Sequence, residues 1–411
     1  MIKLHRAFSA GVSVWNCMLV VPVGYLGALT LIAATRRPSS LPAVAGVTRF
    51  ALVVPAHNEE ATISALLDSV CRLDYPAALV AVHVVADNCT DDTSGIVRRA
   101  GFEVHERTDA RNPGKGPALN WLIIRLLDRE ESFDVVVFLD ADTTVAPDFL
   151  AAIEPEFRAG ARAVQGFYGV KDPCVSNAAA LRYCALACRH HLRPLARNTI
   201  GGSCGLFGNG MAFTRDLVSD RRWSAHLVED MEMQIELLVD GVIVHYQPMA
   251  RLEAEMPNTL AASVTQNQRW ELGRMQIIRR SLPRLVRQLF DPHQQHRIAK
   301  ADAVLDMCVP PLSVLAGAIG ASAGISTVLA AIHPTKRARR NAWTSGLLVV
   351  ALAAHVLTAL RLVGAPAKIY RELLQAPRMV VWKIALLARL VRRDDGAVSW
   401  RRTQRNAEQG T

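Results

Sequence analysis

In VVVFLDADTTV a run of β-branched and aromatic residues that reads as a buried strand stops at two aspartates one residue apart, Asp140 and Asp142. Alternate side chains on a strand share a face, so the two carboxylates are expected to point the same way, at a spacing that repels unless a cation lies between them. Hard oxygen donors of this kind suit Mg2+ or Mn2+, which commonly bind through one or two carboxylates and substrate phosphates. The pair would then hold a metal, and the metal a diphosphate; the plainer alternative is a polar turn closing a strand. Lys115, set between glycines in NPGKGPALN, would supply a further cation from a loop that can approach closely, or is an ordinary loop lysine.

The elements that must position these groups repeat as strand, loop and helix. RFALVVPAHNEEATISALLDSVCRL starts with a short apolar strand, Ala51 to Val54, that breaks at Pro55. From about Glu60 an amphipathic helix is expected, with Ile63, Leu66, Leu67 and Val70 at helical spacing. AVHVVADNCTDDTSGIVRRAG gives a strand ending at Asp87, a small polar loop, a short helix and Gly101 at a C-cap position. FEVHERTD reads as another strand, NPGKGPALNWLIIRLL as a loop feeding a helix, and DVVVFLDAD as the strand already described. The pattern predicts an α/β domain with a mostly parallel sheet and helices on both faces. Ligands of such sheets sit outside the carboxyl ends of the strands, where PAHNEE, ADNCTDD and DADTT all fall. A dinucleotide site would need GxGxxG after the first strand, where PAHNEE stands instead. The glycine-rich GGSCGLFGNGMAF, which contains Gly208, Asn209 and Gly210, would line an acceptor path or form a turn between strands.

The chain has 411 residues, 51% of them hydrophobic, with the excess concentrated at the two ends. Ala7 to Thr35 carries no charged side chain, longer than the roughly 20 residues a bilayer crossing needs and than the h-region of a signal peptide. Met307 to Ile332 and Ala342 to Leu360 are further candidate spans, separated by a short KRARR loop. The expected division is an N-terminal transmembrane helix in 1–40, a catalytic domain in 48–300, two membrane helices in 301–362, and an amphipathic interfacial helix with a basic tail in 363–411. The last follows from charges at Arg371, Lys383 and Arg389 among apolar neighbours. A net charge of +10 gathers near the apolar segments, at Arg279 to Lys300 and after Arg361, which suits an anionic lipid surface. No recognition motif or interleaved aromatics accompany it, so nucleic acid is not an expected partner. Eight cysteines are scattered without a CxxC pair, favouring a reducing compartment, and CALACRHH matches no zinc spacing.

Five motifs then fall in a telling order: VPAHNEE, the strand end at Asp87, Asp140-Ala141-Asp142, Val228-Glu229-Asp230 and Gln266-Asn267-Gln268-Arg269-Trp270. Their order and approximate spacing over about residues 50–300 resemble glycosyltransferase family 2, in its membrane-bound branch of cellulose, chitin, hyaluronan and poly-N-acetylglucosamine synthases. Each motif is weak alone, whereas the ordered set including QxxRW is specific. The resemblance implies a GT-A (Rossmann-like) fold, a nucleotide-sugar donor, usually a UDP-sugar, and inversion at the anomeric carbon. It implies that Pro55, Ala56, Glu59 and Asp87 surround the nucleoside, with Asp140 near the diphosphate and Asp142 on the metal. Asp230 would be the general base, beside Glu229, while Gln266, Arg269 and Trp270 close over the diphosphate and the acceptor end. Val228 stands where many members have Thr, removing one possible hydrogen bond to the base. Asp230 precedes EMQIELLVDG, an expected helix ending at Gly241, so a helix N-terminus would favour its ionised form.

The resulting expectation is an inverting glycosyltransferase in a bacterial-type inner or plasma membrane, its catalytic domain cytoplasmic because nucleotide-sugars are made there. The acceptor would be lipid-linked or a growing glycan. Three spanning segments are few for a polysaccharide channel, yet QxxRW marks the processive branch, so a polymer product is kept beside single addition. A non-catalytic scaffold would be expected to have lost one motif, and a transporter to have more spanning helices and intramembrane charges. The cytoplasmic placement puts KRARR outside, against the positive-inside preference, unless the more numerous basic residues elsewhere outweigh it.

Overall fold

The structure, a computed structural model, describes residues 2–36, 46–129, 133–224, 228–256, 263–291 and 295–392. The basic tail after Arg392 lies outside them. The chain divides into two compact units.

One unit, which among the described residues comprises 46–129, 133–172, 200–224, 228–256, 263–291 and 295–301, carries a sheet of eight strands. In chain order they are β1 (Phe50–Ala56), β2 (Val80–Asp87), β3 (Glu103–Arg107), β4 (Val135–Phe138), β5 (Thr143–Val145), β6 (Ala163–Val170), β7 (Met211–Thr214) and β8 (Val244–Ala254). They lie in the order β3-β2-β1-β4-β7-β6-β8-β5. The first four are parallel, as the repeated strand, loop and helix predicted. Beyond β4 the sheet becomes mixed: β7 runs antiparallel to both β4 and β6, and β5 antiparallel to β8.

Central strands are apolar on both faces because helices cover them. β1 and β4 are buried almost throughout, whereas edge strand β3 is largely half-exposed. The helix expected from about Glu60 begins at Ile63 and ends at Val70; Ile63, Leu66, Leu67 and Val70 form one buried face, at i, i+3, i+4 and i+7. Pro55 lies beyond Val53, the last β1 residue paired with β4, so its missing N–H interrupts no ladder on that side. The loop entering β1 is tied to the Phe149–Arg158 helix by Glu154, which is fully buried. Its carboxylate accepts from the backbone N–H groups of Gly46, Val47 and Thr48 at 3.0, 2.8 and 3.1 Å and from the Tyr75 hydroxyl at 2.9 Å. Burial alone would raise this acid, but those four donors outweigh it and hold it down at about 2.

The other unit gathers, among the described residues, 2–36, 173–199 and 302–392. Among the described residues, three of its helices are long and apolar enough to cross a membrane: Ala7–Thr35, Leu312–Ile332 and Lys336–Leu362. The basic KRARR segment is the first turn of the last helix rather than a loop; the Thr335 hydroxyl caps it by accepting from the Ala338 N–H. Leu19, Val23, Leu26, Leu315, Ile319, Leu348 and Leu352 form the apolar contact between these helices. A polar thread runs beside it: Ser322 Oγ donates to Asn16 Oδ1, Ser13 Oγ to Asn341 Oδ1, and Asn341 Nδ2 to the Ser9 carbonyl. The 173–199 segment falls within the stretch read from sequence as catalytic, yet it belongs to this helical unit; Arg197 bonds Asp302 at 2.6 Å, and Tyr25 donates to the same carboxylate at 2.8 Å. The Ala376–Arg392 helix packs on Leu312–Ile332 at Gly317, where a Cβ would lie 2.7 Å from Ile384 Cδ1.

Candidate active site

Two of the three polar loops expected at the strand ends, PAHNEE and ADNCTDD, are knitted together. From the loop after β1, Asn58 accepts the Thr90 N–H at 2.8 Å, Glu60 accepts from Asp92 N–H, and Glu60 N–H donates to Asp91. Glu59 is buried, its N–H held by Thr93 Oγ1 and its carboxylate by Thr62 Oγ1 at 2.8 Å. The acids of ADNCTDD thus serve mainly to join loops. At the end of β2, buried Asp87 forms an ion pair with Arg107, the last residue of β3, and accepts from Asn88 Nδ2 and Gly114 N–H. Arg107 also grips Asp109 at 2.8 Å and the Asn112 carbonyl at 2.9 Å. Sequence reading missed Arg107; its signal was a lone cation in register with Asp87 across two parallel strands.

β4 stops at Phe138, so Asp140 and Asp142 occupy the turn into β5 rather than alternate positions of a strand. The cation beside Asp140 is Lys115: its Nζ lies 2.5 Å from Asp140 Oδ1 and 2.6 Å from the Gly208 carbonyl. Lys115 is the first residue of the Lys115–Leu127 helix, not a loop residue. Gly116 admits the Ser224 backbone so closely that any Cβ would collide with its carbonyl, and Asn120 exchanges two 2.7 Å hydrogen bonds with the backbone of buried Trp223. Those contacts fix the helix end that carries the ammonium.

The glycine-rich segment enters the site as an extended strip leading into β7, and it too is pinned. Asn209 is fully buried; its Oδ1 accepts the Asp140 N–H at 3.1 Å, and its Nδ2 donates to Thr143 Oγ1 at 2.7 Å. The side chain expected on the acceptor path is therefore spent on orienting the aspartate turn. Gln165 of β6, unnoticed in sequence because a lone glutamine in a strand has no motif, holds the strip through the Asn209 carbonyl at 2.8 Å and the Phe207 N–H at 3.1 Å. Gly208 has φ +76, and a Cβ there would sit 3.4 Å from Asp230 Oδ2 and 3.6 Å from Lys115 Nζ. Gly210 shares the left-handed conformation, φ +68, and donates its N–H to the Phe138 carbonyl.

Glu229 and Asp230 form the first turn of the Glu229–Val239 helix, as expected for Asp230. Burial, with Asp230 and Asp140 nearby, pushes Glu229 up to about 7 against the opposing pull of Lys115. Burial would lower the Lys115 ammonium, but Asp140, Glu229 and Asp230 together raise it. One lysine faces three acids, and the surplus negative charge with hard oxygen donors at Asp140 and Asp142 fits a Mg2+ or Mn2+ ion. Val228, where a Thr was the alternative, packs its methyls onto Gly273 of the Ser263–Leu289 helix; a Cβ at Gly273 would lie 2.6 Å from Val228 Cγ2. That helix carries QxxRW, and Arg280 further along it reaches Glu232 at 3.3 Å. Trp270 is half-buried, while the side chains of Gln266 and Arg269 lie outside the described residues.

Comparison with known proteins bears on the family and the fold. A beta-monoglucosyldiacylglycerol synthase from Synechocystis is 28% identical over 230 residues, 54% of this chain and 47% of the relative. A poly-beta-1,6-N-acetyl-D-glucosamine synthase from Staphylococcus aureus is 26% identical over 242 residues, 56% of this chain and 55% of that protein. The chain thus spans about half the length of these relatives. Among solved structures, a mannosyltransferase from Pyrobaculum calidifontis, in complex with GDP-Man and Mn2+, matches with a TM-score of 0.51 and 19% identity, over 84% of this chain and 99% of that one. At that identity the likeness concerns the fold. The model of the family described as glycosyltransferase like family 2 matches residues 48–273, more than half of the 411-residue sequence, and the chain belongs to that family.

Proposed function

We propose that the protein is a membrane-integrated, inverting glycosyltransferase that moves a sugar from a nucleotide-sugar, a UDP-sugar by preference, to a lipid-linked or growing glycan acceptor. The observation that carries this reading is the meeting of Asp140, Lys115, Gly208, Glu229 and Asp230 at one end of the sheet. Asp230 would take the proton of the acceptor hydroxyl as its oxygen forms a bond to the anomeric carbon and the bond to the diphosphate breaks; one displacement inverts that carbon. It lies in the first turn of its helix, close to Gly208. Lys115 would carry its charge between Asp140 and the diphosphate, and Arg269 would grip phosphate through two donors. Asp140 and Asp142 would hold a divalent ion, which when bound offsets charge on the leaving nucleoside diphosphate. Pro55, Ala56, Glu59 and the Asp87–Arg107 pair would frame the nucleoside, and Trp270 would offer a flat face to a sugar. Three helices long enough to span a bilayer support membrane integration, with the catalytic unit proposed on the cytoplasmic side.

A processive polysaccharide synthase is the second reading, supported by QxxRW and by a relative whose name is that of a polymer synthase. The test is a donor screen on the purified full chain, following nucleotide release with and without Mn2+ or Mg2+ and sizing the product. Ion-dependent release is expected with one donor; one sugar per acceptor would exclude polymerisation, and no release with any donor in the presence of lipid and glycan acceptors would favour a scaffold. Asp230→Asn is expected to lower turnover by about 10²–10⁴-fold, and Asp142→Ala to abolish ion-supported transfer, with both proteins still inserted in membranes. Wild-type turnover in either variant would remove that residue from the mechanism.

A further inference from the structure

His83 of β2 and Glu103 and His105 of β3 are brought together at the sheet's edge, away from every motif discussed so far. His83 is in register with Glu103, and Val85 with His105, so the alternation of each strand puts all three side chains on one face. The two rings and the carboxylate converge, each ring against a different carboxylate oxygen, with one donor atom from each residue within 4.8 Å of the others. His83 Nδ1 lies 3.2 Å from Glu103 Oε2, His105 Nε2 lies 3.3 Å from Glu103 Oε1, and the two ring nitrogens are 3.4 Å apart. A tetrahedral ion with ligands at about 2.0–2.1 Å needs edges of roughly 3.3–3.4 Å. Both imidazoles are nearly buried while the carboxylate is 41% exposed, so solvent reaches the cluster from the Glu103 side.

We propose that His83, Glu103 and His105 form a binding site for a borderline divalent transition ion, Zn2+ in the first place, distinct from the oxygen-rich pair Asp140 and Asp142. Two imidazoles with one carboxylate is a ligand set that zinc accepts and that Mg2+ does not favour. The competing arrangement is a hydrogen-bonded cluster in which each ring donates to Glu103. Arg129 also faces the site, donating to Glu103 at 2.9 Å, and Arg125, stacked on Trp121, adds a second positive charge nearby. Arg129 is partly exposed, so it can swing out to solvent or keep the outer lone pairs of the carboxylate and orient it as a ligand. The bound ion would clip edge strand β3 to β2. Four residues further along both strands, on the same face, stand Asp87 and Arg107, so the clip would steady that ion pair.

The test uses the full chain in detergent, stripped with a chelator and reloaded with Zn2+ or Co2+, in an Asp142→Ala background that removes the oxygen site. One zinc per chain is expected to survive desalting, and Co2+ is expected to give the visible bands of four-coordination. His83→Gln and His105→Gln should each weaken binding by at least about 100-fold, and zinc should raise the melting temperature of the parent but not of these variants. X-ray absorption of the zinc-loaded parent, which needs no variant to fold, should show two imidazoles and no sulfur. Absence of stoichiometric zinc, equal retention by the histidine variants, or sulfur ligation would each overturn the proposal.

Discussion

At the residue scale the site is short of positive charge, and Glu229 registers the deficit. Its folded value of about 7 lies above the ordinary 4.5, so between these pH values the folded chain keeps a proton that the unfolded chain has lost. Stability therefore falls as pH rises through that window. With a chelator present, Glu229→Gln is expected to melt higher than the parent by a margin that grows from about pH 5 to about pH 8. A margin independent of pH would mean that Glu229 ionises normally. Asn209 makes a second prediction, since its buried amide is the link between the glycine-rich strip and the aspartate turn. Asn209→Ala should cost about 1–3 kcal/mol in denaturant unfolding and lower turnover, by releasing the Asp140 N–H.

At the element scale, close approaches decide where the chemistry sits. The QxxRW helix reaches the turn bearing Glu229 and Asp230 through Val228 against Gly273. Gly273→Val should push that helix away and reduce turnover, and adding Val228→Ala should restore part of it; no recovery in the double variant would show that the contact does not set the helix position. Glu154 does comparable work for β1. Its depressed value means that it stabilises the fold above the ordinary glutamate range and loses that contribution as pH falls from about 4.5 toward 2. Glu154→Gln is expected to destabilise the unit by on the order of 2 kcal/mol at neutral pH and to flatten its acid unfolding curve over that window.

At the scale of the whole molecule, three apolar helices and a polar thread of Ser9, Ser13, Asn16, Ser322 and Asn341 make up a unit suited to a bilayer. Such interhelical hydrogen bonds contribute about 0.6–2 kcal/mol, so Asn341→Leu should weaken the unit without preventing insertion, read as a lower melting temperature in detergent. If the catalytic unit faces the cytoplasm, the start of the Lys336–Leu362 helix lies outside. A cysteine replacing exposed Arg339, in a background lacking the native exposed thiols, should then react with an impermeant reagent in intact cells; reaction only after permeabilisation would reverse the arrangement. Position 338 would be a poor reporter, since Ala338 is fully buried.

What the sequence by itself determined was whatever rests on local pattern: the four-strand parallel half of the sheet, the three apolar helices and the acids of the motif loops. Periodicity, loop polarity and uncharged length are one-dimensional properties, and they survive folding unchanged. The ends of elements and the partners of side chains were decided only in three dimensions. β4 stops before Asp140, Lys115 opens a helix, Asn209 is spent on Asp140, and Arg107 closes on Asp87. The cluster of His83, Glu103 and His105 was equally invisible, because its members come from two strands about twenty residues apart in sequence and meet only through parallel register. Such pairings depend on which strands become neighbours, and that follows from burying the whole core at once rather than from any short stretch of chain.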